Sequence, residues 1–372
     1  MKSEIRGRQR DSNLELYRII VMLLIIAHHY VVNSGLTDIL AKDPLNGRSV
    51  FLYLFGAWGK TGINCFVLLT GYFMCQSHIT LKKYIKLLFE VLFYRIAISA
   101  VFWVTGYAEF SVEELIKNLM PIKGVDTGFT SCYLLFFLFI PFLNKLIQAL
   151  NEKNHIRLMI LCLFTYSILG NIPWISVVMN YVSWFAVLYL IAAYIRMYPK
   201  KISENVKFWG WMTAGTFFIS AMSVVCCTWI GTKINRTLAF YFVADSNKVL
   251  AVILAVCSFM LFKNIKLNTS RLINSTSAST FGVLLIHANS NTMRQWLWKD
   301  VFNNMGMYDS PWLIVHAIGT VMIIFVACVI IDRCRIAFIE KPALRLWDRW
   351  EPQLIGTFKR MELRVCEKLG IQ

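Results

Sequence analysis

The chain has 372 residues, 57% of them apolar, a mean hydropathy of +0.56 and a formal net charge of +17. The apolar residues stand in long blocks rather than alternating with charge, which excludes a soluble globular domain and points to an all-α protein with several membrane spans. Lys and Arg cluster between the apolar blocks, where the positive-inside rule puts them, so the charge does not signal nucleic acid.

Residues 1–10 carry Lys2, Arg6, Arg8 and Arg10, which predicts a cytoplasmic amino terminus. The first apolar block lacks a small-residue cleavage site and holds two histidines, so it reads as a retained span over 14–33 and not as a cleaved signal. A polar loop with Pro44, Asn46 and Gly47 leads to span two, 50–74. A short basic connection with Lys82, Lys83 and Lys86 precedes span three, 86–105. The loop 106–128 is acidic or mixed, with Glu109, Glu113, Glu114, Lys117, Lys123 and Asp126. Span four, 129–149, contains Pro141, which predicts a kink. Spans five to eight follow at 157–172, 177–197, 208–231 and 237–262. Span nine covers 278–298, with Trp296 and Trp298 read as interface anchors at its outer end. Span ten covers 311–331, and a basic tail follows with Arg333, Arg335, Lys341, Arg345 and Arg349.

The charges check this count. From a cytoplasmic start, the connections after spans two, four, six, eight and ten are basic and the others acidic or mixed. The expectation is a polytopic membrane protein of about ten transmembrane helices with both termini cytoplasmic. It divides into a transmembrane domain over 1–335 and a basic tail over 336–372. The ten cysteines fall mostly inside apolar blocks and form no CxxC or Cys/His metal spacing, so neither a disulfide framework nor a metal is expected.

The first span carries the sharpest signal. Polar groups in hydrocarbon are costly unless they are paired or face water. Arg18 and His29 are eleven positions apart, which at roughly 100° per residue returns them to within about 20° of one face. Glu15 shares that stripe, whereas His28 points about 100° away from His29. The rise from Arg18 to His29 is about 16 Å, half the hydrocarbon core. His29 is therefore a candidate general base, because histidine titrates near neutrality. Glu15 and Arg18 are candidates for orienting the site, and His28 for a packing hydrogen bond.

The segment ELYRIIVMLLIIAHH resembles the opening of the acyltransferase 3 family of integral-membrane acyltransferases: an acidic residue, an arginine, ten residues, then a histidine. Four further blocks resemble the family in order. GINCFVLLTGYF supplies Gly62, Asn64, Phe66, Thr70, Gly71 and Tyr72, with threonine replacing the usual serine. SCYLLFFLFIPFLNKLI lacks the customary tryptophan. STFGVLLIHANS supplies His287, and FIEKPALRL supplies Glu340 and Pro342. Where the family often has arginines after its second-span block, this chain has Lys82, Lys83 and Lys86, which keep the charge without the guanidinium fork.

The resemblance implies transfer of an acyl group, usually acetyl, from cytoplasmic acetyl-CoA to a hydroxyl of a cell-surface polysaccharide or its lipid-linked precursor. It implies a multi-pass place in the cell membrane. Arg18, Lys82, Lys83 and Lys86 are then candidates for the coenzyme A polyanion. Asn64, Thr70, Tyr72 and His287 are candidates for the substrate or the oxyanion. With no hydrolase-like domain after span ten, the chain completes the transfer itself or hands the group to a separate acyl-accepting partner protein. The rival reading is a transporter or flippase of a lipid-linked saccharide; it predicts internal repeats, and none is detectable. A membrane sensor or scaffold leaves the polar stripe unexplained.

Overall fold

The computed structural model describes residues 12–351 together with 353, 356 and 360. The expected basic residues 1–10, most of the tail beyond 351 and Cys366 lie outside the described residues. Within them every regular element is a helix. In order come α1 (Ser12–Val32), α2 (Leu36–Lys42), α3 (Gly47–Gly56), α4 (Gly59–Met74), α5 (Leu81–Val104), α6 (Val112–Leu119), α7 (Phe129–Ala149) and α8 (Glu152–Leu163). They are followed by α9 (Tyr181–Met197), α10 (Val206–Lys233), α11 (Val249–Asn264), α12 (Arg271–Ser277), α13 (Thr280–His287), α14 (Asn291–Gln295) and α15 (Leu313–Arg335).

In lipid every backbone donor and acceptor needs an internal partner, and a helix supplies one within its own segment. Short polar residues then fix where helices begin. Asn46, Asn151, Asn180, Asn205, Ser270 and Ser290 each accept a backbone N–H at the start of the following helix.

All ten expected segments carry helix. Among the described residues, six helical stretches are long and apolar enough to cross a membrane: 12–32, 47–74, 81–104, 129–149, 206–233 and 313–351. Two shorter apolar helices are α9 and α11. Three segments depart from their expected outlines. Span two is interrupted at Ala57–Trp58, between α3 and α4. Span eight starts only at Val249, because Asp245 accepts the Ser246 backbone N–H (2.7 Å) and its carbonyl accepts from Lys248 (3.1 Å), closing a turn. Span nine breaks after His287, and Ser290 then caps α14.

The first span lies at the middle of the bundle, packed against α3, α4, α11, α12, α13 and α15. Lipid is as apolar as leucine, so close van der Waals fit and interhelical hydrogen bonds join such helices. Gly71 brings α4 onto α9: a Cβ there would lie 2.8 Å from the Ala192 Cβ and 3.2 Å from the Tyr189 ring. Gly71→Val is accordingly expected to destabilise the protein by about 1–3 kcal/mol. Thermal unfolding in detergent reads this; an unchanged midpoint would show that the two helices slide apart freely.

Asn64, fully buried, joins three elements. Its amide donates to the Ser246 carbonyl (2.7 Å) and its oxygen accepts from the Trp184 indole (2.9 Å). Trp298 is also fully buried, against Tyr30 and His287, so it is not the interface anchor expected from its position; the break after α13 folds it inward.

A buried ion cluster ties α5 to the end of α15. The Arg335 guanidinium donates to Asp332 (2.8 Å) and Glu340 (2.7 Å), and meets Glu90 of α5 at 3.1 Å. Lys86 reaches the other Glu340 oxygen at 2.7 Å, and the Tyr94 hydroxyl donates to Asp332 (2.7 Å). A Cβ on Gly282 would lie 2.3 Å from the Asp332 carboxylate, so α13 closes over the cluster.

Candidate active site

Glu15, Arg18 and His29 lie on one helix, but at different depths. Near the start of α1, the Glu15 carboxylate accepts from Arg18 (3.3 Å) and from the Ser277 hydroxyl of α12. The same end holds Lys82, Lys83 and Lys86. Lys82 pairs with Asp348 (2.5 Å) and Lys86 with Glu340, while Lys83 donates to the His78 carbonyl (2.9 Å). Tyr72 opens onto a hollow of about 780 Å³ at this end, beside Lys263 and Lys266, and its hydroxyl accepts from Arg196 (2.8 Å). Thr70 is turned to the Phe66 carbonyl (3.0 Å) and the Tyr133 hydroxyl (3.1 Å).

His29 is at the far end of α1 and meets His287 there. Its Nδ1 lies 2.9 Å from His287 Nε2, and His287 Nδ1 lies 2.6 Å from the Val283 carbonyl. The protons of the neutral pair follow from these contacts. A carbonyl only accepts, so His287 Nδ1 carries the hydrogen and donates it. His287 Nε2 is then an acceptor, and His29 donates to it from Nδ1. The remaining lone pair of His29 is on Nε2, and His29 borders a cavity. His287 stands behind it, fully buried, with Trp298 edge-on to its ring. A hydrogen bond from one ring nitrogen that fixes the imidazole tautomer is the arrangement a general base needs.

The cavity measures about 410 Å³, within the range of small-molecule sites. α1 contributes His28, His29 and Asn33 to its wall; α4 contributes Lys60 and Phe66; α5 contributes Arg95. The loop before α7 adds Lys123, Thr127 and Gly128, the first turn of α7 adds residues 129–131, and the broken span nine adds Asn289 and Arg294. His28 Nδ1 donates to the Gly56 carbonyl (2.6 Å) beside the α3–α4 break, and a Cβ on Gly59 would lie 2.2 Å from its ring. Burial, with the Arg95 guanidinium nearby, pulls the Lys123 ammonium below the ordinary lysine value.

Of the residues expected at the site, the structure places His29 on this cavity and His287 directly behind it. Glu15, Arg18, Asn64, Thr70, Tyr72 and the three lysines are not among its lining residues. The sequence reading does not single out Lys60, Arg95 or Arg294, and takes Lys123 only as part of a mixed loop. One signal was available: Lys60 and Arg95 each sit inside an apolar block, where a cation is exceptional.

The profile of the Acyl_transf_3 family, described as an acyltransferase domain, matches residues 11–332. The chain belongs to the acyltransferase 3 family. No curated protein and no solved structure matches it. Membership makes this a multi-pass membrane acyltransferase, and the matched residues include both histidines of the pair and all four cations of the cavity wall.

Proposed function

We propose that this acyltransferase moves an acetyl group from coenzyme A to a hydroxyl of a cell-surface polysaccharide or its lipid-linked precursor, with His29 as general base. The observation that carries the proposal is the Val283–His287–His29 hydrogen-bond chain, which leaves an imidazole lone pair on a residue that borders the cavity. The acceptor hydroxyl gives its proton to His29 Nε2 as its oxygen attacks the thioester carbonyl. The tetrahedral intermediate collapses with loss of the sulfur, and the thiolate takes the proton back from His29. Ester and free coenzyme A leave, and the base is restored. The cationic wall favours the negative charge that develops on the intermediate, the contribution acyl transfer relies on most.

In this reading the chain makes ten crossings of the cell membrane, with the start of α1 on the cytoplasmic side. The donor's phosphates stay at that side, attracted by Arg18 and by the lysines at 82, 83 and 86. Lys83 is the best placed of the three, because among the described residues it donates to a carbonyl, whereas Lys82 and Lys86 face carboxylates. The thioester reaches inward about 16 Å, the rise from Arg18 to His29. Glu15 keeps Arg18 in place.

Purified protein, given labelled acetyl-CoA, is expected to release free thiol in proportion to ester formed on an acceptor glycan. Donor turnover without ester on any polysaccharide or lipid-linked sugar of the source cell would sink the acceptor assignment. No donor turnover at all would sink the reaction.

A further inference from the structure

The wall around His29 is charged with one sign. Lys60, Arg95, Lys123 and Arg294 reach it from four separate parts of the chain, and no carboxylate is among the lining residues. Lys60 has a partial counter-charge in Asp245, at 3.8 Å, and donates to the Tyr181 hydroxyl (2.9 Å). The other three have none within 4 Å among the described residues. Arg95 donates to the carbonyls of Met120 and Pro121 (2.5 and 3.0 Å), and Lys123 to the Asn118 side chain (2.9 Å). Glu114 acts on Lys123 only from a greater distance. Arg294 donates one N–H to Asn291 (3.4 Å), and its Nε is buried with no partner.

Holding several cations together at a partly enclosed, low-dielectric site is unfavourable unless an anion completes it. A buried guanidinium nitrogen without an acceptor points the same way, since buried donors are nearly always satisfied. A neutral sugar would need none of these charges. The donor's phosphates are elsewhere in the functional reading given above, at the opposite end of α1.

We infer that this cavity binds an anionic acceptor: a sugar bearing a carboxylate or phosphate close to the hydroxyl that is acylated. Arg294, with Lys123 and Arg95, would take the anionic group in charge-assisted hydrogen bonds. The hydroxyl then falls towards His29. The inference rests on the assignment of this cavity to the acceptor, and it adds a chemical class to it.

Binding, rather than transfer, tests it. The full-length protein is placed in neutral phosphatidylcholine nanodiscs and titrated calorimetrically with four probes. These are a glucuronate-containing tetrasaccharide, its carboxyl-reduced neutral counterpart, an N-acetylglucosamine diphosphate lipid, and coenzyme A. At least one anionic sugar is expected to bind roughly tenfold or more tightly than the neutral one. Arg294→Gln and Lys123→Gln should each remove most of that preference, while Arg294→Lys, which keeps the charge, retains it and controls for folding. A response to the uronate or to the diphosphate alone identifies which anion is used, and either supports the inference. Equal binding of charged and neutral sugars overturns it. So does a preference that survives both glutamine variants, or binding of coenzyme A that these variants abolish. His29→Ala should keep the preference for the anionic over the neutral sugar, so failure of the base assignment and failure of this one are separate results.

Discussion

Alanine in place of His29 is expected to lower acetyl transfer by roughly a hundredfold or more, the usual contribution of a positioned acid or base. The protein should stay folded, because His29 is only half-buried and, among the described residues, its hydrogen-bond partner is His287. The second histidine separates a catalytic pair from two packed rings. In the proposed mechanism His287 touches no reacting atom: it accepts from His29 Nδ1 and so holds the tautomer that leaves His29 Nε2 free. His287→Ala should therefore lower kcat by less than His29→Ala does, and shift the pH at which activity rises. The double variant should be no slower than His29→Ala alone, because groups that act as one unit are not additive. The measurements are steady-state rates and pH profiles of the three variants on one acceptor. Near-full activity of His29→Ala removes it from the mechanism. Losses that simply multiply would reduce His287 to a packing residue.

Arg335→Met should produce the largest loss of stability. The guanidinium is 2% exposed and balances three carboxylates, of which Asp332 is 0%, Glu340 3% and Glu90 10% exposed. Removing one partner from a buried ion cluster costs about 3–5 kcal/mol, because the charges left behind are neither solvated nor paired. Here the carboxylates would also repel one another, with Lys86 reaching only Glu340. Glu90→Gln in the Arg335→Met background should recover part of the loss, since it withdraws one uncompensated charge. Unfolding midpoints in detergent, with fluorescence-detected size exclusion for assembly, read both changes. A midpoint for Arg335→Met within a degree of the parent would show that the cluster is irrelevant to how α5 and α15 meet.

The cluster shows where sequence reading stopped. Glu340 belongs to a closing motif and Arg335 to a basic tail in the sequence, and nothing there marks Asp332 as their partner. Glu90 and Tyr94 are carried on a helix more than two hundred positions away, and nothing local marks them as partners. The same limit held at the site. His29 stands out because a histidine in an apolar block is expensive, and His287 comes from the family-like block STFGVLLIHANS. That the two share a hydrogen bond was invisible, since 258 positions separate them. Asn64 and Thr70 were conspicuous polar residues in a span, and the structure gives both of them partners in helix packing.

Taken alone, the sequence determined the class of the protein, its family and the shared face of Glu15, Arg18 and His29. Each of these depends on chain-local properties. Apolar blocks must become helices because lipid offers the backbone no other partners, and the helical repeat then sets which side chains share a stripe. The tertiary structure alone decided where helices break, at Ala57–Trp58 and after His287, and which groups those breaks bring to His29. It also decided the proton pattern of the histidine pair and the convergence of four cations on one cavity. Those features depend on which helices are neighbours and at what depth. Packing between segments fixes that, and the period of a single segment carries no record of it.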